Sequence, residues 1–269
     1  MEFRFGVVAA AQGGGGPWRD TARRAEELGY ATLLSPDNLH LPTPTAGLAM
    51  AAAVTTRLRV GSFVLASPLR TARAAAWEAH SLTTLTDGRF ELGLGTGLPS
   101  MREQAAELGL PYGTGRERLD AISETIDHVR RLDGDAHTPV MVAAGGPRAR
   151  RLAAAKADIV TLAGGVLTSR EDFAAHADDV RSAADGRGIE LGMNIFVVGE
   201  HVPPWIRGFI GVDAETLVEH DSLAMLRGSV DDMAAELERR RAELGVSYIS
   251  VNSAFIEEFA PLVERLSGR

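Results

Sequence analysis

Short apolar runs alternate with amphipathic stretches along the whole chain. Eight runs predict β-strands: Arg4–Ala9, Ala31–Ser35, Arg59–Leu65, Phe90–Gly95, Pro139–Ala143, Asp158–Leu162, Leu191–Val198 and Ser247–Asn252. Several are almost continuously apolar, Val140-Met141-Val142 among them. Strands buried on both faces of a parallel sheet have this pattern. Between them, Pro17–Leu28 predicts a helix, opened by a proline and closed by Gly29, residue types suited to the first turn and to the position past the last. Leu119, Ile122, Ile126, Val129 and Leu132 form one helical stripe, and Met233, Leu237 and Leu244 another. A last helix is predicted from about Glu257 to Leu266.

Strand and helix in regular alternation imply a parallel sheet with crossovers. A doubly wound open sheet is the alternative. Eight runs in 269 residues favour an α/β fold of one (β/α)8 TIM barrel, residues 1–269 forming a single domain. No Pro/Gly/Ser-rich linker divides the chain. The glycine run Gly13–Gly16 follows the first strand, which on a barrel is the face where active sites are built.

Composition narrows the chemistry. The net charge of −8 argues against a nucleic-acid partner, while leaving room for a local basic patch that binds phosphate. There is no cysteine, so disulfides, thiolate metal sites, iron–sulfur clusters and cysteine nucleophiles are excluded. His80, His128, His137, His176, His201 and His220 show no short ligand spacing, so no metal site is expected. The apolar stretches are too short and too interrupted for a membrane span, and the opening Met-Glu-Phe-Arg-Phe-Gly lacks a signal-peptide pattern. A cytoplasmic location is the expectation.

Two stretches carry candidate chemistry. Asp87-Gly88 signals a turn, and the strand after it ends in spaced glycines, Gly93, Gly95 and Gly97, next to Thr96. Glycines at a strand end let a ligand approach the backbone closely. The full G-x-G-x-x-G fingerprint of a dinucleotide fold is not completed. In Ala144-Gly145-Gly146-Pro147-Arg148 a strand ends, two glycines turn and a proline starts a helix. Free N–H groups and the positive helix end there suit an anion, and Arg148 adds charge. An ordinary strand-to-helix turn with a solvated arginine reads the same way.

Taken together, Ala22–Tyr30, Thr56–Gly61, Gly88–Gly95, Glu117-Arg118-Leu119, Gly145–Arg148 and Glu243–Ile249 resemble, in order and spacing, the luciferase-like monooxygenase superfamily and its F420-dependent oxidoreductase branch. The resemblance implies a TIM barrel whose strand ends hold the deazaflavin F420 or, alternatively, FMN. It implies hydride transfer to or from a small-molecule substrate; the FMN alternative is monooxygenation with a partner reductase supplying reduced cofactor. Arg118, with Arg116 as a nearby substitute, resembles the arginine that reaches the cofactor phosphate. Gly145, Gly146 and Arg148 complete that site, and Thr96 and Gly97 lie beside it. The stretch Phe63–Pro68 resembles a bulge, often with a non-prolyl cis peptide, that backs the cofactor ring; Ala66 and Ser67 stand where relatives often carry Asn. Strand two ends in Asp37-Asn38, where F420-dependent relatives usually have Asp-His. An amide is not an acid or base near neutral pH, so Asp37, Asn38 and the nearby His40 are the candidate catalytic residues, with a turn-capping Asp37 and a solvated His40 as the plainer readings. These departures leave open a third alternative, a barrel reused without redox chemistry. The resemblance further implies a homodimer through Ala46–Thr55 and Ala72–Leu85. The segment Val202–Asp221, with Pro203, Pro204, Trp205 and Phe209, is a candidate lid or a packed surface loop.

Overall fold

The computed structural model describes Met1–Arg269. Eight parallel strands close into a barrel: Arg4–Val8, Thr32–Ser35, Arg59–Ser62, Phe90–Gly95, Val140–Ala144, Ile159–Leu162, Glu190–Ile195 and Val246–Asn252. The first strand pairs with the last from Arg4↔Tyr248 to Val8↔Asn252. The third pairs with the fourth through Val60↔Phe90. All eight predicted strands are present in the predicted order, and closure rather than an open sheet is the outcome. A barrel has no edge strand to protect.

Helices surround the strands and bury one face each. Ala72–Leu85 turns Ala75, Ala76, Ala79 and Leu82 inward, and Gly115–Asp133 turns Ile122, Ile126 and Val129 inward. The latter starts in a capping box: Thr114 accepts from the Glu117 N–H while the Glu117 carboxylate accepts from the Thr114 N–H. The first helix is Gly15–Glu27, two residues earlier than the proline suggested. Asp87-Gly88 is a turn with both residues at positive φ. No helix is long and apolar enough to cross a membrane.

Two predicted runs are broken, and both breaks shape the mouth of the barrel. The third stops at Ser62. A cis peptide joins Phe63 to Val64, and Leu65–Ala66 then pairs with Leu94 and Gly95. The seventh leaves the barrel after Ile195; Val197–Val198 pairs with Met225–Leu226 instead. The chain between these two short strands contains the helices Pro204–Ile210 and Ala214–Glu219, so the segment Val202–Asp221 is an ordered helical excursion. Ile206 and Leu217 anchor it in the core, while Trp205 and Phe209 stay exposed.

The opposite end of the barrel is plugged. Glu91 is buried and accepts from Arg4 Nη1 at 2.6 Å, Arg59 Nε at 2.7 Å and Tyr248 Oη at 3.2 Å. The Arg4 guanidinium also lies over the Tyr248 ring. Burial, reinforced by the Glu91 charge, pushes the Tyr248 hydroxyl well above its usual pKa. A ligand therefore meets open structure only at the C-terminal strand ends.

Candidate functional site

The glycine turn after the fifth strand does what its sequence suggests. A Cβ on Gly145 would stand 2.8 Å from the carbonyl oxygen of Ala163, so the turn runs too close to its neighbour for a side chain. Gly146 caps the helix Pro147–Lys156 with no side-chain bond, and a Cβ there would meet nothing within 4 Å. The first N–H groups of that helix thus face a space without a competing side chain. Arg150 fixes the turn from behind, donating to the Gly145 carbonyl and pairing with Asp179 at 2.8 Å.

That space is a cleft of about 600 Å3 between the helices Gly115–Asp133 and Pro147–Lys156, walled by Thr96, Arg116, Arg118, Gly146 and Arg148. Arg118 donates through Nη1 to the Gly113 carbonyl at 2.9 Å and lies 4.2 Å above the Tyr112 ring. Arg102 stacks on the same tyrosine at 4.6 Å, and the tyrosine hydroxyl donates to the Leu98 carbonyl at 3.0 Å. Arg118 Nε is buried without a partner, and Arg148 is exposed. Three arginines and a helix N-terminus meeting across one cleft suit a phosphate by charge and by donor geometry.

A second cavity, of about 180 Å3, opens at the barrel mouth over the bulge of the third strand. Its walls include Phe63, Val64, Met193, Asn194, Phe196 and Leu223, and no wall residue is charged. Phe196 packs against Phe209 of the helical excursion at 6.1 Å between ring centres. Asn194 is the polar side chain on the seventh strand there, and its Oδ1 accepts from the Ser250 hydroxyl at 2.9 Å.

The residues after the second strand are organised as scaffold. Asp37 is buried; its Oδ2 accepts from Arg70 Nη1 at 2.6 Å and from the Ala66 N–H at 2.9 Å, and its Oδ1 accepts from Arg70 Nη2 at 3.0 Å. Burial opposes the charge on Arg70, but the Asp37 hydrogen bonds and attraction outweigh it and raise the pKa. Asn38 spends its carbonyl oxygen on the His40 N–H, an Asx turn, and His40 is exposed.

Sequence reasoning is therefore met unevenly. Thr96, Arg118, Gly146 and Arg148 come together, with Gly145 adjacent and Arg116 added. Ala66 and Asp37 come together, but as a brace. Ser67 Oγ is buried with no partner, and Gly97 turns at positive φ against Pro68 and Met101. None of Asp37, Asn38, His40, Ala66, Ser67 and Gly97 lines either cavity. Gly93 and Gly95 make room for protein: added Cβ atoms would lie 2.0 Å from Ser62 O and 2.5 Å from Val64 Cγ2. Arg70, Tyr112 and Asn194 were not picked out. Only Asn194 had a local signal, a lone amide near the end of an apolar run.

Comparison with known proteins agrees with the geometry. The family model described as luciferase-like monooxygenase matches residues 3–202. An F420-dependent glucose-6-phosphate dehydrogenase of Intrasporangium calvum is 28% identical over 197 residues, 62% of this chain and 58% of the relative. One from Beutenbergia cavernae is 34% identical over 160 residues, 48% of this chain and 47% of the relative. The chain spans about half the length of these curated relatives. Among solved structures, an F420-dependent secondary alcohol dehydrogenase in complex with an F420-acetone adduct superposes with a TM-score of 0.79 at 16% identity, covering 98% of this chain and 99% of that one. The F420-dependent tetrahydromethanopterin reductase of Methanopyrus kandleri gives a TM-score of 0.76 at 16% identity, with 99% of each chain covered. These two likenesses establish the fold.

Proposed function

The chain belongs to the luciferase-like monooxygenase family, and within it we propose an F420-dependent oxidoreductase that transfers a hydride between the deazaflavin and a small organic substrate. The observation that carries this reading is the rim cleft, where Arg116, Arg118 and Arg148 face the uncapped N-terminus of Pro147–Lys156. The residues fit a phosphate-bearing cofactor: Gly146 leaves the approach open, and Arg118 is held in place by Tyr112. When bound, the cofactor supplies the two-electron chemistry as a hydride acceptor or donor. The protein binds the phosphate at the rim, backs the ring with Phe63–Val64, and limits water through the apolar mouth.

In this reading Asp37 is a positioning residue. It locks the Leu65–Ala66 segment to Arg70 and so fixes the bulge. Asn38 and His40 shape the entrance. The relatives named as F420-dependent dehydrogenases support the cofactor assignment. The reading includes a cytoplasmic location, a second enzyme that resets the cofactor's redox state, and a homodimer. Met50, Trp77 and Leu85 support the dimer, being large apolar side chains exposed on the helices Pro44–Ala53 and Ala72–Leu85.

The test is titration of F420 and FMN into the purified protein, with light scattering in parallel. F420 binding with a micromolar or lower dissociation constant, weaker FMN binding and a dimer mass are expected. Tighter FMN binding overturns the cofactor assignment, and failure to bind either overturns the redox reading.

A further inference from the structure

The cation-rich surface and the mouth cavity are separate. All three cleft arginines line the rim cleft and none lines the mouth cavity, whose walls are otherwise apolar side chains, glycines and two threonine hydroxyls. A dianionic sugar phosphate placed in this cavity would lose its hydration without gaining a cation, a cost of several kcal/mol or more. The cavity has room for a molecule of about benzene size, judged by engineered apolar cavities of roughly 150 Å3 that bind benzene.

One side chain gives the cavity direction. Asn194 stands near the end of the seventh strand, and Ser250 on the neighbouring eighth strand donates to its Oδ1. That bond sets the amide rotamer and leaves Nδ2 as a donor at the cavity wall. A single donor in an apolar pocket recognises one oxygen and rejects an analogue that lacks it, because the amide would then be left unpaired.

We infer that the substrate is an uncharged, largely apolar ketone, aldehyde or the corresponding alcohol, held at its oxygen by Asn194, and not a sugar phosphate. The inference rests on the F420 reading above. It separates this chain from the relatives whose names specify glucose 6-phosphate. Ser250 acts through Asn194 as a positioning residue.

The experiment uses the full chain saturated with oxidised F420, and measures binding of cyclohexanone, cyclohexane and glucose 6-phosphate by calorimetry. Cyclohexanone should bind at least tenfold more tightly than either other probe. Asn194→Leu should weaken cyclohexanone about tenfold and leave the F420 dissociation constant unchanged. Ser250→Ala, a smaller change that keeps the amide, should weaken cyclohexanone by a lesser factor. Far-ultraviolet circular dichroism checks that both variants fold, and Ser250→Ala alone decides if Asn194→Leu does not. Equal or tighter binding of glucose 6-phosphate, no binding of cyclohexanone, or unchanged cyclohexanone binding in both variants overturns the inference. So does a loss confined to F420 affinity, which would give the cavity to the cofactor ring. Failure of the wild type to bind F420 overturns the cofactor reading itself, and is scored before any substrate probe is added.

Discussion

Arg70 grips both carboxylate oxygens of Asp37, and the same carboxylate holds the Ala66 N–H. The pair ties the end of the second strand to the segment that follows the bulge in the third. Both side chains are largely withdrawn from water, at 14% and 5% exposure, so neither can be left alone cheaply. Arg70→Met should destabilise the protein by about 3–5 kcal/mol, the cost of stranding a buried charge. Urea denaturation measures it. Asp37→Asn keeps one acceptor for Ala66 and should cost less. If Asp37→Asn abolishes turnover at unchanged stability, the carboxylate is catalytic and the brace is secondary.

The rim cleft makes a second prediction. Arg118→Ala or Arg148→Ala should weaken F420 binding by roughly 1.5–3 kcal/mol, the scale of a hydrogen bond to a charged group, which is roughly 10- to 150-fold in dissociation constant. Arg118→Lys should recover part of the loss, because an ammonium keeps the charge but lacks the planar fork and stacks less well on Tyr112. Fluorescence titration at fixed salt reads the effect. Wild-type affinity in both alanine variants would move the phosphate elsewhere.

Acid stability should depend on Glu236. Burial favours its neutral form, but hydrogen bonds from Arg170, Arg240 and Arg239 outweigh that and lower its pKa from 4.5 to about 2. A depressed carboxylate contributes its stability above the unfolded value and loses it as the pH falls through the folded value. The contribution, up to about 3 kcal/mol, should be intact above pH 5 and fade between about pH 4.5 and 2. Glu236→Gln should flatten the slope of unfolding free energy against pH in that window. An unchanged slope would show that the arginines are satisfied without it.

The barrel was legible because its signal is repeated eight times. Each apolar run such as Val140-Met141-Val142 is short, and the amphipathic stretch after it has only one place to go. The rim cleft was legible for a local reason: Gly145-Gly146-Pro147-Arg148 contains its own turn, helix start and charge. Long-range pairing was not legible. Nothing near Asp37 announces Arg70, 33 residues away, so a brace resembled a catalytic carboxylate. Asn194 depends on Ser250, 56 residues away, to become a directed donor. The two broken strands were read as continuous because Phe63-Val64 and Phe196 are as apolar as the strands they interrupt.

Glycine provides the sharpest separation of scaffold from site. Gly93 and Gly146 look alike in sequence, each a glycine near a strand end, yet their surroundings are opposite. A Cβ on Gly93 would sit 2.0 Å from the Ser62 carbonyl oxygen and 3.2 Å from Val64 Cγ1, within the bulge itself. Backbone cannot yield there without parting the third and fourth strands, so Gly93→Ala should cost more than about 4 kcal/mol, at the diagnostic end of single substitutions. Gly146 has ordinary extended backbone, with φ −89° and ψ 161°, and open space where a side chain would go. Gly146→Asp should therefore leave stability unchanged or raise it by a few tenths of a kcal/mol, since aspartate caps a helix better than glycine. The same carboxylate would occupy the anion position and repel a phosphate. F420 affinity should fall at least tenfold, with the loss shrinking as salt is added. Thermal melts and cofactor titrations on the two variants test both halves. A stable Gly146→Asp protein that binds F420 like the wild type would mean that the helix N-terminus does not hold the phosphate.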